Sequence, residues 1–338
     1  MKRPLRVRGW GPTQLMSKPF QIASPDAEAA PPGLAPPSTV APAPASGRPA
    51  VAGLLRALRP KQWAKNVLVA AAPGAAGVLT QPGVAGRTAL AFVAFCLVSS
   101  AAYLVNDVGD VEADRSHPVK RARPIAAGVV SIRTALVAAA FLLIAGLGIA
   151  AAVRWAFFAL LAAYVVLMVA YTLWLKHMAV LDIAVVASGF IVRAVAGGLA
   201  IDVPISRWFL IVASFGSLFM VAGKRYSEHV TMGAERETVR ATLATYSSGY
   251  LRYVWTMASG VTLLSYCLWA FEQSRLESSV PWFELSIVPF AVAILRYALL
   301  LEEGHGGAPE DIVLGDRPLQ VLGLVWLVIW GAGVSVVH

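Results

Sequence analysis

Long apolar runs separated by short polar connections occupy most of this chain, and this alternation limits its fold more than any other feature of the sequence. Hydrophobic residues make up 58% of the 338 residues, and the mean hydropathy is +0.67. Since a helix needs about 20 residues to cross a bilayer, we predict an all-α polytopic membrane protein with about nine transmembrane helices. The first apolar segment is interrupted by Pro73, Gly74 and Gly77. The nine segments lie near residues 66–80, 88–106, 131–153, 155–175, 178–201, 206–223, 252–271, 283–301 and 319–337.

The distribution of basic residues predicts how these helices are oriented. With the N-terminus in the cytoplasm, most of the 28 Lys and Arg residues fall in cytoplasmic segments, as the positive-inside rule requires. We therefore predict a multi-pass protein of the plasma (inner) membrane whose N-terminus and polar cavity face the cytoplasm. An odd number of helices leaves the C-terminus outside. The exceptions are Arg87, Arg154, Arg207 and Arg275 in outside loops, and Arg193 and Arg296 within spans.

The net charge of +9 does not require a nucleic-acid partner. Anionic lipid and membrane topology are sufficient to explain basic residues in short loops, so we expect membrane lipid and no nucleic acid. Residues 1–50 are rich in Pro and Ala and lack a periodic apolar face, which predicts a disordered cytoplasmic tail. Residues 51–338 would then form a single catalytic domain within the membrane.

Four carboxylates lie within nine residues directly after the second apolar segment, although only 14% of the chain is charged. On a continuous helix, Asp107, Asp110 and Asp114 would lie within about 60° of one another, whereas Glu112 would point away. Three like charges on one face repel each other unless they share a cation. We therefore predict a divalent-metal site formed by these three aspartates. The run reads Asn106-Asp107-Val108-Gly109-Asp110-Val111-Glu112-Ala113-Asp114.

Basic residues follow this acidic cluster at Lys120, Arg121 and Arg123, after Pro118 ends the helix. Carboxylates beside cations can hold Mg²⁺ and an oligophosphate together, with the metal between carboxylate and phosphate. The alternative is a salt-bridged cytoplasmic loop. Exposed ion pairs stabilise a protein by at most about 1 kcal/mol, which is a weak reason for three aspartates on one face. We therefore favour a metal–phosphate site.

Polar residues at and within the fourth and fifth segments are further candidates for binding substrate. Tyr171 and Lys176 end the fourth segment, where Lys176 would meet phosphate, although this group would equally anchor the helix at the membrane surface. Asp182 and Arg193 share one face of the fifth segment but lie about 16 Å apart along its axis, too far to pair directly. Ionisable residues inside a membrane are usually functional, so we interpret Arg193 as an anion ligand that faces a cavity.

Two more candidate groups lie at the ends of the first and sixth segments. Lys65 and Asn66 stand at the mouth of the first segment, where an interfacial helix is the alternative interpretation. Lys224, Arg225 and Glu228 end the sixth segment, and Lys224 and Glu228 are spaced so that they would pair on a helix. As part of a site, these three residues supply two cations and one carboxylate, which suits a ligand with more than one phosphate.

The pattern Asn106-Asp107-x-x-Asp110-x-x-x-Asp114 resembles, at every position, the first motif of the UbiA-type intramembrane prenyltransferases. The resemblance covers roughly residues 60–338. It implies a cavity that opens to the membrane and is capped by cytoplasmic loops, where two facing motifs hold Mg²⁺ and a diphosphate. In the first motif, Asp107, Asp110 and Asp114 would hold Mg²⁺, with Asn106 as an orienting group or direct ligand. The second motif of that superfamily is usually Asp-x-x-x-Asp, whereas this chain has Lys224-x-x-x-Glu228. A cation in place of a metal-binding carboxylate favours a donor with an additional phosphate.

Three further stretches resemble the branch of this superfamily that transfers 5-phosphoribose from phosphoribosyl pyrophosphate to decaprenyl or another polyprenyl phosphate. That reaction supplies arabinan and arabinogalactan precursors for the actinobacterial cell wall. The resemblance implies a Mg²⁺-dependent phosphoribosyltransferase in which Lys120–Arg123, Lys176, Arg193, Lys224 and Arg225 are candidates to hold the phosphates. Two alternatives stay open: a prenyltransferase that uses prenyl diphosphate and an aromatic acceptor, and a transporter or lipid-binding scaffold. A homo-oligomer is also left open. The stretches are Arg59-Pro60-Lys61-Gln62-Trp63-Ala64-Lys65-Asn66, Gly223-Lys224-Arg225-x-x-Glu228 and Asp316-Arg317-Pro318-Leu319-Gln320-Val321-Leu322-Gly323.

Overall fold

The computed structural model describes residues 47–231, 242, 245–273, 280–304 and 309–337, and the regular elements in this part of the chain are all helices, without strands. The predicted tail, over residues 1–46, lies outside the described residues. Three 3₁₀ segments occur at Pro60–Ala70, Lys120–Ala122 and Leu175–His177. The α-helices are α1 Gly47–Ala57, α2 Ala71–Ala75, α3 Val84–Gly109, α4 Val111–Ser116, α5 Ile132–Val153, α6 Trp155–Leu173, α7 Leu181–Ile201, α8 Arg207–Thr231, α9 Ser248–Gln273, α10 Trp282–Glu302, α11 Pro309–Gly315 and α12 Arg317–Val337.

Eight of the described helices are long and apolar enough to cross a membrane, namely α3, α5, α6, α7, α8, α9, α10 and α12. The predicted all-α membrane architecture is confirmed. The first apolar segment folds differently from the others, as the 3₁₀ segment Pro60–Ala70 followed by the short helix α2. A 3₁₀ segment rises about 2 Å per residue, so these two elements together approach the thickness of a bilayer. The count of nine spans stays a prediction.

A glycine allows the 3₁₀ segment to lie directly against α7. A Cβ atom built on Gly197 would stand 1.7 Å from the carbonyl oxygen of Val69, a distance at which two atoms cannot coexist. The side chain of Val69 is fully buried. It belongs to one apolar core with Phe95 of α3 and Phe157 and Leu161 of α6. The irregular first segment is therefore packed into the bundle through backbone contact with α7.

We expect Gly197→Ala to destabilise the protein by about 1–3 kcal/mol or more, because the added methyl group forces the 3₁₀ segment away from α7. Thermal denaturation in detergent, followed by tryptophan fluorescence, measures the change. The matched control is Gly148→Ala in α5, where nothing lies within 4 Å of the added atom. An exposed helical Gly→Ala change is neutral or slightly stabilising. Equal midpoints for the two variants would show that the contact with Val69 is unimportant.

Ionic contacts bring the polar ends of several helices together at one end of the bundle. Arg252 at the start of α9 contacts Glu302 at the end of α10 at 3.1 Å, and Tyr226 near the end of α8 donates to the same carboxylate at 3.0 Å. Arg296 of α10 contacts Asp316, just before α12, at 2.6 Å. The hydrogen bond from Arg296 holds the pKa of the Asp316 carboxyl below its ordinary value. The last turns of α8 and α10 are thereby held near the start of α9, and the start of α12 is held against α10.

Candidate functional site

The aspartate motif lies at a break between two helices. Helix α3 ends at Gly109, Asp110 occupies the junction with φ −97° and ψ 7°, and α4 begins at Val111. The three aspartates therefore do not share one continuous helix. The prediction that they lie on one helical face is wrong in this respect. The predicted helix end before Pro118 is confirmed, since α4 stops at Ser116. The next residue is extended, as expected before proline.

Each aspartate of the motif contacts a cation from another part of the chain. Asp107 and Asp114 are both 3% exposed. Arg123 contacts both, with its Nη1 atom 3.1 Å from Asp107 Oδ1 and 2.7 Å from Asp114 Oδ2. Lys176 Nζ lies 2.6 Å from Asp110 Oδ1. Of the predicted phosphate ligands, the structure thus brings Arg123 and Lys176 to the motif. Glu112, which was predicted to point away from the aspartates, is exposed and contacts Arg115.

Arg59 is a site residue that the sequence analysis did not single out. Its Nη2 atom lies 2.5 Å from Asp107 Oδ1, and its guanidinium lies over the ring of Tyr103, 4.9 Å from the centroid. Arg59 has φ 55° and ψ 58°, a left-handed conformation that costs a residue other than glycine of order 1 kcal/mol or more. Such strain persists where surrounding contacts fix the residue. In the sequence, only the Arg59-Pro60 pair indicated a restricted backbone here, because the residue before a proline is kept out of the α region. Pro60 begins the following 3₁₀ segment.

The donor chemistry of the motif fits a magnesium ion. Asp107, Asp110 and Asp114 supply hard oxygen ligands, which Mg²⁺ prefers. A single nitrogen of Arg123 lies within hydrogen-bond distance of two of these carboxylates, so one compact cation can be placed between them. Within the described part of the chain, no three acidic, His or Cys groups are already arranged closely enough to hold a metal.

Asn106 orients the junction residue. Its Nδ2 atom donates to Asp110 Oδ2 at 3.0 Å, and its Oδ1 atom accepts a weak bond from Thr172 of α6 at 3.5 Å. Together with Lys176, these contacts fix Asp110 between α3 and the end of α6. The predicted orienting role of Asn106 agrees with this geometry, and its role as a direct metal ligand stays a prediction.

Arg193 and Asn66, two predicted substrate ligands, contact each other inside the bundle. Arg193 Nε donates to Asn66 Oδ1 at 2.7 Å, and its other nitrogens donate to the Gly189 carbonyl at 2.6 Å and to the Tyr164 hydroxyl at 3.2 Å. Its guanidinium also lies over the rings of Phe95 and Tyr164. These contacts join the 3₁₀ segment to α6 and α7. They give no support to Arg193 as an anion ligand, and that role stays a prediction.

The predicted cluster at the end of α8 is built around Arg225. Its Nε atom lies 3.4 Å from Asp182 Oδ2 and its Nη1 atom 2.9 Å from Glu228 Oε2. Arg225 and Asp182 are both buried, at 3% and 0% exposure. Lys224 approaches Glu228 only to 3.9 Å and its side chain is 35% exposed. Arg225 is thus fixed in place, whereas Lys224 remains available to a ligand.

The structure assigns no binding role to the remaining predicted ligands. Lys65 donates to Gln62 at 2.5 Å and lines a cavity described below. Lys120 belongs to a 3₁₀ turn, Arg121 is exposed, and Tyr171 is half-buried in the last turn of α6. Their binding roles stay predictions.

An apolar cavity of about 910 Å³ lies beside the 3₁₀ segment. Small residues in and next to the 3₁₀ segment and α2 form one part of its lining. Lys65, which belongs to the 3₁₀ segment, also lines the cavity. Aromatic residues of α9, α10 and α12 form another part, and Trp326 donates to the hydroxyl of Tyr266 at 2.7 Å there. The small residues are Ala64, Ala70, Ala71, Ala72, Gly74, Ala75 and Ala76, and the aromatic ones are Tyr266, Trp269, Phe290, Trp326 and Trp330.

A family model described as the UbiA prenyltransferase family matches residues 67–313, a range that contains the aspartate motif, Lys176 and Arg225. The chain belongs to the UbiA prenyltransferase family. The resemblance noted in the sequence is therefore confirmed. This UbiA-family protein is an integral membrane enzyme of the transferase class.

Relatives that share nearly half of their residues with this UbiA-family chain carry one name. A protein of Corynebacterium glutamicum named decaprenyl-phosphate phosphoribosyltransferase is 49% identical, over 81% of this chain and 84% of its own length. Proteins of the same name from Mycolicibacterium smegmatis and Mycobacterium tuberculosis are 46% and 48% identical, each over 84% of this chain and 93% and 95% of their own lengths.

Solved structures of the family share the fold. A UbiA homologue from Archaeoglobus fulgidus bound to GPP and Mg²⁺ superposes with a TM-score of 0.65 over 84% of this chain and 99% of its own, at 18% identity. A structure of digeranylgeranylglyceryl phosphate synthase superposes with a TM-score of 0.59, at 16% identity over 84% of this chain and 98% of its own. The arrangement of helices is therefore that of the UbiA fold.

Proposed function

We propose that this UbiA-family enzyme transfers 5-phosphoribose from phosphoribosyl pyrophosphate to decaprenyl phosphate or a similar polyprenyl phosphate, and releases pyrophosphate. The observation that carries this proposal is the mixture of charges at the site. Acidic residues suited to Mg²⁺ are each in contact with a cation suited to phosphate, and Lys224 stands where the family usually has an acid. The names of relatives that are 46–49% identical agree with it.

Asp107, Asp110 and Asp114 would hold Mg²⁺, with Asn106 orienting Asp110. When bound, Mg²⁺ supplies charge stabilisation to the departing pyrophosphate. Arg59, Arg123 and Lys176 already lie on these carboxylates and would turn to the phosphate oxygens of the donor. A donor with phosphate at both ends needs cations at two places. Lys224 and Arg225 of α8 supply the second.

The acceptor needs no general base. The second pKa of a phosphate monoester is about 6, so most of it is dianionic at neutral pH. One of its oxygens attacks C1 of the ribose, the bond from C1 to the pyrophosphate oxygen breaks, and the electron pair leaves with pyrophosphate. The cations hold two anions in line that would otherwise repel each other. A single displacement inverts the configuration at C1, and a product with the configuration of the donor would exclude it.

The polyprenyl tail would occupy the apolar cavity beside the 3₁₀ segment, with Lys65 near its phosphate. We further propose that the polar end of the bundle faces the cytoplasm, as the distribution of basic residues predicts. Phosphoribosyl pyrophosphate, a soluble and highly charged donor, would then reach the site from the aqueous phase. The lipid acceptor would enter from the membrane.

One assay tests the function. Purified protein in nanodiscs is incubated with Mg²⁺, ribose-labelled phosphoribosyl pyrophosphate and decaprenyl phosphate, and label is counted in the lipid phase. We expect lipid label that disappears with EDTA and returns with added Mg²⁺. Turnover of prenyl diphosphate with an aromatic acceptor, without lipid label from phosphoribosyl pyrophosphate, would identify a prenyltransferase instead. Inactivity with both donors would favour a transporter or scaffold.

A further inference from the structure

Tyr246 ties the connection between α6 and α7, which carries Lys176, to the residues just before α9. Its hydroxyl accepts a hydrogen bond from the Val180 N–H at 2.5 Å and donates one to Asp182 Oδ1 at 2.5 Å. Val180 lies between Lys176 and the start of α7, whereas Tyr246 lies two residues before α9. One hydroxyl group thus fixes the connection between α6 and α7 to the segment that precedes α9. Tyr246 itself is buried.

The turn that contains Val180 needs such a restraint. Val180 has φ 70° and ψ −47°. A β-branched residue at positive φ is a conformational outlier that persists only where its surroundings fix it. The bond from its N–H to Tyr246 is one contact that does so. Because Lys176 precedes Val180 by four residues, this turn helps to set the position from which Lys176 reaches Asp110.

Asp182 extends the same tie to Arg225. The two oxygens of this fully buried carboxylate are divided between partners. Oδ1 accepts from Tyr246, while Oδ2 accepts from Arg225 Nε at 3.4 Å and from Thr242 Oγ1 at 3.3 Å. Burial, and then the hydrogen bond to Asp182, raise the pKa of the Tyr246 hydroxyl. The hydroxyl therefore stays protonated at neutral pH and remains a donor to the carboxylate.

We propose that Tyr246 is a positioning residue for the phosphoribosyl donor, acting through Asp182 on Arg225 and through Val180 on the turn that carries Lys176. This inference rests on the proposed function, because it assigns Arg225 and Lys176 to the donor. Among the described residues, the hydrogen-bond partners of Tyr246 belong neither to the aspartate motif nor to the lining of the apolar cavity. Its loss therefore weakens the binding of phosphoribosyl pyrophosphate and leaves the binding of polyprenyl phosphate unchanged.

The first test is Tyr246→Phe, which removes the hydroxyl and keeps the ring that stacks on Tyr250 at 5.6 Å. We expect the KM for phosphoribosyl pyrophosphate to rise about tenfold, as for the loss of a buried hydrogen bond to a charged group. The KM for decaprenyl phosphate should stay within about twofold. Tyr250→Phe is the matched control, since it makes the same change in the exposed partner ring. Its two KM values should match those of the unmodified protein.

A double-mutant cycle with Arg225→Gln shows whether Tyr246 acts through that guanidinium. If it does, the two changes are less than additive, and the effect that Tyr246→Phe still has in the Arg225→Gln background reports the route through Val180. Additive effects, an unchanged donor KM, or an equal rise in both KM values would overturn the proposal.

If Tyr246→Phe does not fold, Thr242→Val is the second test of the same group, because it removes another hydrogen bond to Asp182. An unaltered donor KM in Thr242→Val would then refute the positioning role. If the unmodified protein transfers no phosphoribosyl label to the lipid, the proposed function is refuted, and this inference with it.

Discussion

Asp110→Asn is expected to lower the rate of phosphoribosyl transfer by about two to three orders of magnitude, while the protein remains folded. Asp110 lies at the junction between α3 and α4, its side chain is 30% exposed, and it contacts Lys176 at 2.6 Å. The amide keeps the shape of the side chain but loses the charge that orients Lys176 and that would bind the proposed Mg²⁺. Label transferred to decaprenyl phosphate measures the rate, and a titration with Mg²⁺ measures the loss of metal affinity.

The control for this variant is Glu112→Gln, two residues further along. Glu112 undergoes the same chemical change, but its side chain is 81% exposed and contacts Arg115 on the surface of α4. We expect its transfer rate to stay within about twofold of the unmodified protein, because an exposed pair contributes little. If Asp110→Asn retained the transfer rate of Glu112→Gln, the assignment of the metal to this motif would be wrong.

Lys224→Gln is expected to reduce kcat/KM for phosphoribosyl pyrophosphate by about 100-fold. A charge-assisted contact to phosphate contributes about 1.5–3 kcal/mol, and Lys224 is the exposed cation at the end of α8. Its distance of 3.9 Å from Glu228 leaves it free to turn towards a ligand. Steady-state kinetics with varied donor and saturating decaprenyl phosphate gives the value. The matched control is Arg87→Gln, which removes an exposed positive charge at the start of α3.

An unaltered kcat/KM in Lys224→Gln would contradict the reading of Lys224 as a phosphate ligand. It would also remove the argument that separates this chain from family members with two acidic motifs. A loss that appears equally in Arg87→Gln would point to a general effect of net charge on donor binding.

The membrane helices could be predicted because apolar runs of the length of a bilayer have few other folds available. The first segment is the exception. Pro60 and the left-handed Arg59 begin a 3₁₀ segment there, and its close approach to Gly197 depends on a helix more than 120 residues away. A pattern of apolar residues does not reveal such backbone contact between distant elements.

The aspartates could be predicted as a group because their spacing is local, but their partners could not. Arg59 reaches Asp107 across 48 residues of sequence, and it stands in a basic stretch that an interfacial helix would explain equally well. Asn66 and Arg193 were each noticed as polar residues near or within a span, yet their mutual contact follows only from the packing of the 3₁₀ segment on α7. Tyr246 carried no signal in the sequence, since a tyrosine in a polar connection is usually on the surface.

Because the proposed acceptor places its polyprenyl tail in the apolar cavity, the small side chains of the lining make the length of the accepted tail open to engineering. Six alanines, five at residues 70–76 and one at residue 64, contribute only single methyl groups to the lining. Each can be enlarged in steps, from valine to leucine to phenylalanine, without touching the aspartates or Arg225. A series of such variants would shorten the space open to an isoprenoid chain by graded amounts. The same membrane scaffold would thereby yield enzymes that accept progressively shorter polyprenyl phosphates.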